Sequence, residues 1–253
     1  MMFERAMDPK VYNELRALNL EALKNGLYTL AQNGITSAVD ARHETMVTVK
    51  QGPFLKDVRF LRTYWKREHE KAWIAARDSN ILTCKAILSL WAYPQEDDAA
   101  QTAEMIKRFN NTENSRLRIS QVKVYMDGIL PTRTGKVLKD YARNDPDFGI
   151  GKRGLNYITQ NRLRDLILGL QTIKNGPGFD FIIHATGDGG VREALNAIRD
   201  SPVPAAAGNY QPRHKITHVE LVNANDLGRF DELDVIADAQ VQFLSLAILL
   251  GFD

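Results

Sequence analysis

A helix that runs into a short β-segment recurs along this chain. The first instance is "DPKVYNELRALNLEALKNGLYTLAQNG" followed by "ITSAVDA". Asp8 is placed to cap the helix, Pro9 occupies its first position and Gly34 its stop. Val11, Leu15, Leu18, Ala22, Leu23, Leu27 and Leu30 return at helical spacing and define the face expected to be buried. The phrase repeats through "KREHEKAWIAARDS" and "ILTCKAILSLW", then through a helix over residues 97–110 and "RISQVKVYMDG". It continues with "NRLRDLILGLQTIKNG" and "FDFIIHATGDGG", "VREALNAIR" and "HKITHVELV", and finally "NANDLGRFDEL" and "DVIADAQVQFL".

Helices alternating with near-continuous apolar strands specify a parallel sheet covered by helices. Two architectures satisfy that rule, a doubly wound sheet and a (β/α) barrel; about six strands are visible, two fewer than a closed barrel needs. Both place ligands at the C-terminal ends of the strands. The long polar stretch "ILPTRTGKVLKDYARNDPDFGIGKRG" has no clear periodicity, and loops of that length are usually functional or disordered.

Charge narrows the function classes. Lys plus Arg total 33 against 31 Asp plus Glu, a balance without the electrostatic footprint of a nucleic-acid or membrane-surface binder. The longest apolar run, "FLSLAILLGF", is about half the ~20 residues a membrane helix requires. "MMFERAMDPK" lacks the apolar core of a signal peptide, so a cytoplasmic location is expected. Cys84, the single cysteine, lies in an apolar segment and reads as a plain buried thiol.

Three strands carry a chemically useful group within or just beyond their apolar run: Lys123 in "QVKVY", His184 in "FIIHATGD" and His218 in "KITHVEL". Each has a bland reading, a snorkelling lysine or a hydrogen-bonded core histidine. Asp127 and Asp188, each followed by glycine, are by default turn and cap residues. His69 and His214 read as surface residues, while His43, after "ITSAVDAR", could line a site but reads more readily as lying outside it.

"LAQNGITSAVDA", "QVKVYMDGILPTRTG", "FIIHATGDGGVREAL" and "ITHVELVNANDLGRFDELDVIADAQV" resemble, in order, successive blocks of the amidohydrolase superfamily, in its amidohydrolase 3 or YtcJ-like branch of metal-dependent hydrolases. The resemblance runs from about Leu30 to Gln242. It implies a (β/α)8 TIM barrel with metal ligands from a His-x-His on the first strand, a lysine on the fourth, histidines on the fifth and sixth and an aspartate on the eighth. Lys123, His184 and His218 fall at the lysine and the two later histidine positions, as metal ligands and catalytic residues. Asp127, Arg133 and Asp188 fall where the substrate pocket is built.

The chemistry implied is hydrolysis of an amide-like, non-peptide C–N bond in a small-molecule substrate, by water activated on one or two divalent ions, zinc being the expected one. A desolvated lysine has a lowered pKa, so its neutral amine can capture carbon dioxide as a carboxylate-like ligand.

The chain departs from the family pattern in three places. It holds no His-x-His, the Gly189-Gly190 pair stands where larger residues are expected, and "FLSLAILLGFD" is not the usual continuation. The expectation is therefore a single partial barrel over residues 1–253, lacking its first and eighth strands and impaired in turnover. Its open edges invite self-association into a homo-oligomer. The competing readings are a non-catalytic remnant acting as a binding module, and a Schiff-base lyase using Lys123.

Overall fold

The computed structural model of the chain describes residues 9–44, 69–112, 115–141, 152–174 and 176–240. Six strands form one sheet: β1 (Ser37–Glu44), β2 (Lys85–Trp91), β3 (Leu117–Tyr125), β4 (Asp180–Ala185), β5 (Lys215–His218) and β6 (Ile236–Ala239). Their order in the sheet is the order of the chain, β1 to β6. The ladders β1·β2, β4·β5 and β5·β6 are parallel. Sequential order means that every crossover runs the same way. That is the winding of a (β/α) barrel, whereas a doubly wound sheet reverses its order partway. The expected lack of a first and an eighth strand concerns residues 1–8 and 241–253, which lie outside the described residues.

The chain divides into two compact units, residues 1–121 and 122–253, the division falling within β3. In the first, α1 (Pro9–Gln32) ends as its sequence specifies. Gly34 takes a left-handed φ of 70°, and the amide of Ile35 closes back on the carbonyl of Leu30 at 2.9 Å. The apolar stripe on α1 is buried only in part: Leu27 is inaccessible, while Leu18 stays 63% exposed. Periodicity shows that a helix has an apolar face, but what covers that face is a tertiary property.

A second helix, α2 (residues 69–78), buries Ala72 and Ala76, and His69 lies at the surface as expected. β2 begins at Lys85, four residues later than the apolar run beginning at Ile81 suggested. α3 (Asp98–Arg108) is capped by Asp97, whose Oδ1 accepts the Ala100 amide at 2.9 Å. Arg108 of α3 pairs with Glu70 of α2. Cys84 is buried, and burial pushes its thiol above the ordinary range, as befits an inert core thiol.

In the second unit, α4 (Gln160–Leu170) buries Leu163, Leu166, Ile167 and Leu170 on one face. The sequence suggested a helix as far as Gly176, but it ends at Leu170. The side chain of Gln171 donates to the carbonyls of Ser201 and Pro202 at 3.0 and 3.2 Å. From that anchor the backbone turns into a two-rung antiparallel hairpin, Thr172–Ile173 against Gly176–Pro177. α5 (Asp188–Arg199) and α6 (Ala224–Glu232) are joined by Asp226, which receives Arg192 and Arg229 at 2.8 Å each.

Candidate metal centre

Lys123 is 4% exposed, so its amine does not snorkel to solvent. Its neighbours Val122 and Val124 are buried in the core, and the alternation of β3 turns Lys123 and Tyr125 to the other side of the strand. The Nζ donates to Thr217 Oγ1 at 3.2 Å and stands 5.0 Å from the centroid of the Tyr125 ring. Burial, reinforced by Lys215 and opposed by Asp238, lowers its pKa to about 8.

His184 lies near the end of β4, with Nε2 2.7 Å from the carbonyl oxygen of Gly128. Burial above all brings its pKa down to about 3, so the imidazole is neutral. Its Nε2 lies 3.7 Å from Asp127 Oδ1, which would be an ion pair only if the ring were protonated. Because burial is the dominant influence, we read that approach as a dipolar contact. A neutral ring that donates from Nε2 to Gly128 keeps its lone pair on Nδ1.

His218 ends β5, and its ring meets that of His184 edge to face, centroids 4.5 Å apart. Burial and the nearby Lys123 lower its pKa, while a hydrogen bond to Gln240 opposes them. The Tyr125 ring also contacts His184, centroids 4.7 Å apart. Lys123, His184 and His218 thus gather at the C-terminal ends of β3, β4 and β5.

Asp127, just past β3, has no exposure at all. Its Oδ2 accepts the amides of Lys136 at 2.8 Å and Gly187 at 2.9 Å, and its Oδ1 accepts that of Thr186 at 3.0 Å. Those bonds seat the carboxylate at the start of α5 and tie the 128–141 loop to it. Burial still outweighs them and raises the carboxyl to about 6. Asp188, the first residue of α5, fastens the same loop by accepting the Leu138 amide at 2.9 Å.

The glycines follow from this close approach. A Cβ on Gly187 would come within 2.0 Å of the Lys136 carbonyl oxygen, and one on Gly190 within 2.7 Å of Asp127 Oδ2. Gly190 of the unusual Gly189-Gly190 pair therefore has a steric reason. Arg133 is half-buried at the end of a 3-10 turn over Leu130–Thr132, and its φ is 55°.

Several residues at this end carried no sequence signal strong enough to single them out. Tyr125 shares a strand face with Lys123, so period-two reasoning had the means to find it. Thr217 depends on a contact distant in sequence, and Tyr141 lies in the long stretch without periodicity. The Tyr141 hydroxyl donates to the Gly135 carbonyl at 2.7 Å. Burial and the charges of Asp127, Asp188 and Glu220 push it up to about 12, against Arg133.

His214, read from sequence as a surface residue, is buried at 4% exposure. Its Nδ1 accepts the Phe181 amide at 3.1 Å, and its Nε2 lies 3.4 Å from Gln171 Oε1. The ring replaces a backbone partner at the start of β4, an arrangement invisible to hydropathy. Burial depresses its pKa to about 4, below the unfolded value of 6.5. A depressed folded pKa contributes stability that is present above 6.5 and lost as pH falls towards 4. His214→Asn retains an acceptor for Phe181 without the titration. Thermal melts between pH 7 and 4.5 are expected to show a shallower acid decline in this variant; a parallel decline would rule the role out. His43 lies in β1 opposite Leu90.

Two neutral imidazoles in contact suit a zinc-like divalent ion. Among the described residues, no three His, Cys, Asp or Glu side chains are grouped to hold a metal ion. The two rings therefore fit a metal as a partial donor set, with the buried amine of Lys123 near them at Thr217.

The sequence model described as the amidohydrolase family matches residues 3–250 of this chain. No curated protein matches it significantly. Similar solved structures include an uncharacterized metal-dependent hydrolase from Pyrococcus horikoshii OT3, 18% identical with a TM-score of 0.64, where the match covers 89% of this chain and 37% of that one. Another is an uncharacterized metal-dependent hydrolase from Pyrococcus furiosus, 19% identical with a TM-score of 0.65, covering 95% and 41% respectively. The chain thus spans about two fifths of the length of these structures, and at such identities the likeness is one of fold.

Proposed function

This chain belongs to the amidohydrolase family, and on that premise we propose that it forms the central part of a metal-dependent hydrolase acting on amide-like, non-peptide C–N bonds. The observation that carries the reading is the meeting of the neutral His184 and His218 rings, with the buried amine of Lys123 held one residue away at Thr217. The names of the two archaeal structures agree with a metal-dependent reaction.

Strand numbering supports the same reading. If Lys123 marks the fourth strand of an eight-stranded barrel, β1 to β6 are its second to seventh, and residues 1–253 are one partial barrel domain. His184 and His218 then hold the ion, zinc in our reading. The neutral Lys123 amine adds to carbon dioxide, forming an N–C bond and releasing one proton, to become an oxygen donor. A bound divalent ion supplies Lewis acidity, polarising the scissile carbonyl and acidifying a water.

Asp127 and Asp188 hold the loop that walls the substrate pocket, and Arg133 offers its planar fork to a substrate carboxylate. The partners are a small-molecule substrate and further copies of the chain; nucleic acid and membrane have no part. Among the described residues, no helix is long and apolar enough to cross a membrane. We place the protein in the cytoplasm, with slow turnover by this chain alone.

Elemental analysis of the purified chain tests the reading. Near-stoichiometric zinc is expected, falling at least about tenfold in His184→Ala and His218→Ala, each a proposed direct ligand. A folded chain without zinc, whose Lys123 is trapped by borohydride on a keto acid, would establish the lyase instead. Neither zinc nor trapping would leave a non-catalytic binding module.

A further inference from the structure

The end of β5 is strained. His218 and Val219 have φ values of 79° and 43°, two successive left-handed residues without a glycine between them. A β-branched valine rarely adopts that conformation, because its Cβ crowds its own backbone. Two hydrogen bonds hold it there: the Val219 amide to the Ala185 carbonyl at 3.2 Å, and the Leu221 amide to the Thr186 carbonyl at 2.9 Å. Between these anchored amides stands Glu220, beside the end of β4 that carries His184.

The acidic groups at this end differ in what they have to offer. Asp127 is taken up by three backbone amides and Asp188 by that of Leu138. Glu220 is half-buried, and its charge reaches the Tyr141 hydroxyl. Among the described residues, no cation pairs with it and no donor hydrogen-bonds to it. An ionised carboxylate only accepts hydrogen bonds, so the partner that satisfies it must be a donor, and a cationic donor binds most strongly.

We propose that Glu220 is a specificity residue of this site and docks a cationic substrate group, an ammonium or guanidinium placed some atoms from the scissile amide. The proposal rests on the hydrolase reading above and names its substrate class: small amides carrying one positive charge. The strained turn holds Glu220 two residues past His218, where its charge reaches Tyr141, instead of letting β5 continue past it.

The test compares N-acetylputrescine with its neutral isostere N-pentylacetamide by calorimetric titration of the full chain, with zinc content measured in parallel. The cationic amide is expected to bind about tenfold more tightly, an advantage that shrinks with added salt. Glu220→Gln should bring the two affinities together and Glu220→Asp should keep most of the gap, both variants retaining wild-type zinc content and a cooperative melt. Equal binding of the two amides, binding of neither, or a preference that survives Glu220→Gln overturns the proposal. A Glu220-dependent preference in a zinc-free chain supports it while overturning the metal reading, so the two fail separately.

Discussion

Asp127→Ala is expected to lower the unfolding free energy by about 3 kcal/mol at pH 7, the largest loss we expect from any single truncation at this site. The carboxylate is fully buried and accepts the amides of Lys136, Thr186 and Gly187. Alanine would leave three amide donors without their acceptor, each unmet buried donor costing about 1–3 kcal/mol. Relief from burying a charge offsets part of that loss.

The sign of the offset gives the prediction a pH signature. The folded carboxyl is raised from 3.8 to about 6, so its contribution is fully present below 3.8 and lost as pH rises through 6. The deficit of Asp127→Ala should therefore widen as pH falls from 6 towards 4. Urea unfolding at pH 7 and pH 5 measures both quantities; a deficit under about 0.5 kcal/mol, the scale of an ordinary surface change, would disprove the anchoring role.

Lys123→Met should act in the opposite direction on stability while removing function. Below pH 8 the folded chain carries a buried ammonium, and the drop in pKa from 10.5 to about 8 corresponds to about 3 kcal/mol of destabilisation. Methionine fills a similar volume without the charge, so a gain of about 1–3 kcal/mol at pH 7 is expected after the bond to Thr217 is lost. The folded pKa is depressed, so stability held above pH 10.5 is lost as pH falls through 8.

The wild-type chain should accordingly become more stable between pH 8 and 10, a rise absent from Lys123→Met. Zinc content should fall in the same variant. Stability retained at the expense of binding is expected where a charged group is kept for chemistry and not for folding. A variant less stable than wild type at pH 7 would show that the amine is a structural anchor.

Local sequence determined the elements and their order. The glycine stop of α1, the cap of α3 by Asp97 and the apolar face of α4 are read from neighbours within a few residues. Lys123, His184 and His218 stood out because a polar group inside an apolar strand is conspicuous at short range. Tertiary structure decided what lies across the strands: the sequential sheet order, the bond from Lys123 to Thr217 and the contact of the two imidazoles. It also decided that Asp127 is an anchor at the start of α5 and that His214 is buried. Backbone preferences and periodicity are properties of adjacent residues. Burial and hydrogen-bond satisfaction are set by groups that folding brings from as many as 94 positions away.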